Sequence, residues 1–248
     1  MERSFSSSII RQSFAVFSSL FFLSQYSFAQ SDNVNLASTK YKPNKETDCE
    51  TCTCICLQGS IDFANIHETY AGVPGGYYSG YKNKVGFNFG VFATHPVLML
   101  GPGNLAARAG FEFIQKGGVY GSGADKEDYR FNYIELPIDA IYQYQIKDVG
   151  KAFAGFGPYF AYGIGGKIKY GDGSPSDNAF GGQYGAKRFD FGLQFIGGFQ
   201  LSCMASISLS YDLGLLNVSG SSYSSDYRDK NGVFSINLSY CLGGLLNK

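Results

Sequence analysis

The sequence has no tryptophan and only two histidines, His67 and His95. A serine nucleophile needs an imidazole to take its proton, so hydrolase chemistry of that kind has two places to start from. An excess of one charge is also missing. Twenty basic residues balance twenty acidic ones, which excludes the strongly basic face that a nucleic-acid partner requires. Long apolar runs are scarce. The one at 14–23 is shorter than the roughly 20 residues a membrane-crossing helix needs, and no longer run follows it. Membrane residence would therefore have to come from a closed barrel, because only helices and closed barrels satisfy every backbone polar group in lipid.

The short apolar run has a purpose of its own. Arg3 and Arg11 form a basic region around its start, and Ser27 and Ala29 are small residues at the −3 and −1 positions of a cleavage site. Residues 1–29 are thus expected to be a secretory signal peptide cut before Gln30. Removing them takes Glu2, Arg3 and Arg11 and leaves 19 acidic and 18 basic residues. No cysteine follows the cut until Cys49, which argues against a lipid-anchored N-terminus. Residues 30–52 are polar and offer little to bury, so a flexible periplasmic segment is expected there.

From Thr53 onward, apolar and polar residues alternate one by one. Val85, Phe87, Phe89, Val91 and Ala93 form one such series. Ile134, Leu136, Ile138, Ala140 and Tyr142 form a second, and Phe234, Ile236, Leu238, Tyr240 and Leu242 a third. A period of two means strands. Eight are expected, at 53–64, 84–95, 104–116, 131–144, 151–168, 187–202, 205–217 and 232–242. The connections alternate between long ones rich in Gly, Ser, Asp and Tyr (65–83, 117–130, 169–186, 218–231) and short ones (95–103, 145–150, 202–205). Long outer loops and short periplasmic turns, with 33 glycines, 19 tyrosines and 22 phenylalanines, fit a barrel in a bacterial outer membrane. The expected fold is all-β: a closed, antiparallel, eight-stranded transmembrane barrel over 53–242, with a C-terminal extension at 243–248. A soluble sandwich could alternate in the same way, but the tryptophan and disulfide landmarks of an immunoglobulin domain are lacking.

Four runs add a resemblance. Phe131-Asn-Tyr-Ile-Glu-Leu-Pro137, Gly157-Pro-Tyr-Phe-Ala-Tyr162, Asp190-Phe-Gly-Leu193 and Val233-Phe-Ser-Ile-Asn-Leu-Ser-Tyr240 resemble the outer-membrane β-barrel domain common in Bacteroidota, the PorT-like or "porin family" barrels. The resemblance covers about 53–242. It implies a small barrel of about eight strands and, more weakly, an accessory role in a protein secretion machine. Members usually end on an aromatic residue, whereas here Cys241 to Lys248 follow Tyr240.

Chemical motifs are few. Gly101-Pro-Gly-Asn-Leu-Ala106 holds a proline and precedes no helix, so it is no dinucleotide fingerprint. Gly163-Ile-Gly-Gly-Lys167 has Ala161 and Ile168 where a P-loop needs Gly and Ser or Thr. Asp125, Asp172, Asp177, Asp226 and Asp229 lack an EF-hand spacing, and no metal or cofactor is expected. His67 beside Glu68 in the first outer loop is the candidate for lipid hydrolysis, though such a pair is ordinarily solvated polarity. Cys49, Cys52, Cys54, Cys56, Cys203 and Cys241 all fall at the periplasmic rim. Thiolates suit zinc, but the spacing is not that of a zinc finger and the periplasm is oxidising, which favours disulfides. Barrel closure sets strand eight beside strand one, so Cys241 should lie near Cys54 or Cys56. Cys49 and Cys52 would then pair with each other or with the remaining strand-one cysteine, leaving Cys203 without a partner.

An eight-stranded barrel has an interior that side chains fill. Strands three and four, running antiparallel about Ala124, bring Arg108 opposite Asp139 and Glu112 opposite Glu135. These charges should pair and plug the lumen, since unpaired buried charges are costly. Gly155, Gly157, Gly163 and Gly165 on strand five leave room for long neighbours. The outer loops carry Tyr77, Tyr78, Tyr81, Tyr129, Tyr184 and Tyr227 among small polar residues, a composition suited to recognition. The expectation is a non-enzymatic outer-membrane barrel, structural or binding. Its partners would be outer-membrane lipid and an extracellular or periplasmic protein or ligand whose identity the sequence does not give.

Overall fold

The alternating stretches become eight long strands in a computed structural model. It describes residues 53–70, 80–146, 149–181, 185–201, 205–220 and 227–242. The expected signal peptide, N-terminal segment and C-terminal extension lie outside these residues, as do Cys49, Cys52, Cys203, Tyr77, Tyr78 and Tyr184. The strands are β1 (Cys54–Tyr70), β2 (Lys84–Leu100), β3 (Gly103–Tyr120), β4 (Glu127–Ile146), β5 (Gly150–Tyr170), β6 (Phe189–Gln200), β7 (Ala205–Gly214) and β8 (Tyr227–Cys241). Each pairs antiparallel with its sequence neighbours. β8 also pairs with β1 from Cys56↔Cys241 to Tyr70↔Tyr227, so the sheet closes on itself. Closure removes the unpaired edges that an open sheet would expose.

The two faces decide between barrel and sandwich. Phe87, Ile61, Ile236 and Leu209 are successive register partners on β2, β1, β8 and β7, and all four are exposed. The opposite face carries Asp62, Asn88, Glu112, Glu135, Asp190, Gln194, Asp212 and Asn237, each less than a tenth exposed. A soluble sandwich would bury the first set and wet the second. Here the apolar set faces outward all round, a surface stable only against hydrocarbon. Strand lengths agree. The shortest, β7, has 10 residues and the longest, β5, has 21, against about 9–11 needed by a tilted strand to cross a bilayer.

Several strands run further than the sequence pattern suggested. β2 continues through Pro96, with a register shift between Pro96 and Leu98, and the turn comes only at Gly101 and Pro102. Gly101 takes a φ of 60° there, a left-handed conformation that glycine adopts without strain. On the outer side β3 and β4 extend to Tyr120 and Glu127, so the second long loop shrinks to a 3-10 turn at Gly123–Asp125 and its flanks. Two-residue strands extend this taller wall. Tyr81–Lys82 pairs with β3, and Asp177–Asn178 pairs with β5. At 171–176 the third loop is held by Asp172, which accepts bonds from the Ser174 backbone N–H (2.8 Å) and hydroxyl (2.7 Å). Those bonds keep the exposed Asp172 carboxyl below its ordinary range.

Candidate functional site

The lumen is crossed by two cationic hubs. Both sit on the inward face of β3, eight residues apart and so about 26 Å along the strand. Arg108 is the nearer to the periplasm. Its Nη1 donates to Asp139 on β4 at 2.7 Å and to Gln194 on β6 at 3.3 Å, and its Nη2 donates to Gln58 on β1 at 2.9 Å. Its guanidinium lies 3.8 Å from the centroid of the Phe92 ring on β2. The network continues through Gln194 to Asp212, Gln58 to Asn237, and Asn237 to Ser210. Gly110 permits this packing, because a Cβ there would collide with the Phe92 ring.

Lys116 is the outer hub. Its Nζ stands 2.7 Å from Glu135 on β4 and 3.2 Å from Asp190 on β6, with all three side chains fully buried. The ammonium also faces the Tyr159 ring at 4.0 Å and the Tyr133 ring at 5.5 Å. Asp190 accepts further bonds from Asn231 at 2.9 Å and Tyr159 at 3.3 Å. Together the two hubs tie all eight strands through side chains. Glu112, register partner of Glu135, has no ion pair among the described residues, and its Oε2 is buried without a hydrogen-bond partner.

The lumen therefore differs from the expected cluster of Arg108, Glu112, Glu135 and Asp139. The register places Arg108 opposite Asp139 and Glu112 opposite Glu135. Yet the cation for Glu135 is Lys116, which is not one of those four residues. The signal was available, since Lys116 shares the even-numbered inward parity of Arg108 and Glu112. The interior is also not merely polar or small. Phe131, Tyr133 and Tyr159 point inward and pack with Ile66, Ile114 and Val233.

The outer mouth is closed by folded loops. Ala179 and Phe180, from the loop after β5, are buried at 0% and 2% exposure against the inward aromatics. The Phe180 ring meets Phe131 and Tyr133 at 5.4 and 5.5 Å between centroids, and the Arg188 guanidinium lies over it at 5.2 Å. Arg188 stands at this mouth and donates to the Gly163 carbonyl at 2.6 Å. Val218 joins the closure through backbone bonds from Lys187 to Val218 and from Val218 to Asp229. Two of the loop tyrosines proposed for recognition belong to the same region. Tyr81 and Tyr129 lie on strands, stack edge to face at 5.7 Å, and pack against the interior cluster. Tyr227 begins β8 as the register partner of Tyr70.

At the periplasmic end a cavity of about 70 Å³ opens onto Arg108 and is lined by Cys54, Gln58, Phe153 and Gln200 among others. The Cys56–Cys241 disulfide borders it and joins the two strands that close the barrel. His95 is bonded to Thr53 at 2.9 Å at this end. His67 lies far from it, on the outward face of β1, where its Nε2 meets the Tyr211 hydroxyl at 3.3 Å above Gly232. No serine is bonded to His67 among the described residues, and none of their His, Cys, Asp and Glu side chains group to hold a metal ion.

A family model described as the outer membrane protein beta-barrel domain matches residues 57–220. Among solved structures, Ail, the attachment invasion locus protein of Yersinia pestis, is 14% identical over 77% of this chain and 97% of its own, with a TM-score of 0.36. Neisserial surface protein A is 10% identical over 75% and 96%, with a TM-score of 0.40. The outer membrane protein OprG of Pseudomonas aeruginosa is 10% identical over 78% and 98%, with a TM-score of 0.38. No curated protein matches the sequence.

Proposed function

The chain belongs to the outer membrane protein beta-barrel domain family, and from that premise we propose that it is a non-enzymatic barrel with a sealed lumen that works through its outer surface. One observation carries this reading: the fully buried Lys116–Glu135–Asp190 group, capped by Phe180, fills the cross-section that a solute would have to pass. A sealed barrel anchors and presents; it does not conduct. His67 supports the same reading, because its hydrogen bond goes to a tyrosine on the lipid-facing side and, among the described residues, no serine is bonded to it.

The surface offered outward is the tall β3–β4–β5 wall, with the 3-10 turn at Gly123–Asp125 at its tip. A photo-crosslinking residue in place of the exposed Lys126 should capture a protein or ligand from intact cells, while planar-bilayer recordings of the purified barrel stay silent. A steady conductance of porin size would falsify the sealed lumen. His67→Ala should leave the membrane lipid profile unchanged, and accumulation of an uncleaved lipid in that strain would restore the hydrolase. The PorT-like resemblance of residues 131–137 and 157–162 supports a narrower form, an accessory of a secretion machine. Normal secretion in a deletion strain would remove that form and leave the broader one standing.

A further inference from the structure

Moving up the outward face of β3, β4 and β5, the chemistry changes row by row. Phe113, Ile134 and Tyr162 belong to the apolar band. The next row pairs Gln115 with Asn132, joined side chain to side chain at 3.2 Å. Directly above stand Arg130 and Lys167, register partners on β4 and β5, and then Asp128 and Lys169. Arg130, Lys167 and Lys169 are exposed, and none of them is ion-paired among the described residues. The nearby acids are engaged elsewhere: Asp128 pairs with Lys84, and Asp177 accepts the Tyr170 hydroxyl at 2.8 Å.

The two lysines face outward because of a local irregularity. Below it, the inward residues of β5 are odd-numbered, as Gly157, Tyr159, Ala161 and Gly163 show. The register shifts between Asn132 and Tyr133, which pair with Gly165 and Gly163 and leave Ile164 as an extra residue. A bulge of this kind re-aims every side chain beyond it. Ile168 turns inward against the core cluster, and Lys167 and Lys169 turn out beside Arg130. Without the bulge two more cations would enter the lumen.

Arg130 lies four residues beyond Ile134, and Lys167 three beyond Ile164, so the guanidinium and ammonium groups stand at the edge of the hydrocarbon, where long basic side chains reach headgroups. A lipid headgroup in the adjoining leaflet can reach this face from within the membrane plane. We propose that the Arg130–Lys167–Lys169 face is a binding site for a phosphate-bearing lipid headgroup of the outer leaflet, with the Gln115–Asn132 amides beneath it offering hydrogen bonds. The site lies outside the barrel wall, so it neither needs nor tests the sealed lumen.

The test uses the full-length mature barrel in phosphatidylcholine bilayers and measures the association of spin-labelled phosphatidate relative to spin-labelled phosphatidylcholine. The wild type should prefer phosphatidate by on the order of tenfold at low salt, a preference that falls as salt rises. The triple variant Arg130→Gln, Lys167→Gln, Lys169→Gln should lose it while keeping heat-modifiable migration on gels. The single variant Lys167→Glu should lose most of it. A preference equal in wild type and triple variant would overturn the site. Displacement of the lipid by inorganic phosphate at matched concentration would overturn its assignment to a membrane lipid, since a free anion would then suffice.

Discussion

The two hubs of the lumen look alike in chemistry and differ in surroundings. Each is one cation on β3 that meets a carboxylate on the adjacent β4 and also reaches across the lumen to β6. Arg108 borders a cavity open to the periplasm and spreads its charge over two glutamines, one aspartate and a ring. Lys116 is wholly enclosed and answers two carboxylates at once. Water can reach the first site when a partner is lost; it cannot reach the second. The lesson is that the same ion pair holds the barrel with different force at its two ends, because the cost of stranding a charge depends on what replaces its partner.

That difference is open to measurement. Lys116→Met should produce the largest effect, a loss of about 3–5 kcal/mol in urea unfolding from lipid, since Glu135 and Asp190 are then buried unpaired. A loss no greater than that of Arg108→Met would abolish the distinction between the two ends. Removing the seam with Cys56→Ser and Cys241→Ser should cost about 2–4 kcal/mol, because the disulfide spans 185 residues of chain. Hydrogen exchange should rise in that variant where β1 meets β8 near the periplasm and stay low around Lys116. Arg108→Met comes next, at about 1.5–3 kcal/mol, the range of hydrogen bonds to a charged group. Glu112→Gln should lie within about 1 kcal/mol of wild type or stabilise slightly, as Glu112 has no ion pair to lose. Glu135→Gln, at its register partner, should be clearly destabilising, and equal effects for the two would mean that Lys116 does not discriminate between them.

Much of this could be read from the chain in advance, and the reasons are local. Even-numbered inward residues on β3 follow from a period of two, so Arg108 and Glu112 were recognisable as interior. Their partners Asp139 and Glu135 followed from counting outward from one turn. Lys116 obeys the same rule, but a lysine near a strand end reads as solvated. The glycine-rich segments around Tyr81 and Tyr129 read as loops, whereas strand pairing at Tyr81↔Tyr120 and Gly118↔Tyr129 continues past those glycines.

What the sequence determined by itself was the strand count, the face of the strands up to the bulge in β5, the pairing of the last strand with the first, and Cys241 as one half of the seam, with Cys54 and Cys56 both open as its partner. All of these follow from a two-residue period and from hairpins taken in order. Only the tertiary structure decided which cation answers which carboxylate, that Phe180 folds back to cap the lumen, and that a bulge at Ile164 turns Lys167 and Lys169 toward the membrane. Cross-lumen contacts join residues far apart in the chain, and a bulge adds one residue to one strand without any change in its composition. Neither leaves a trace in local periodicity, because both are settled by how closed neighbours fit.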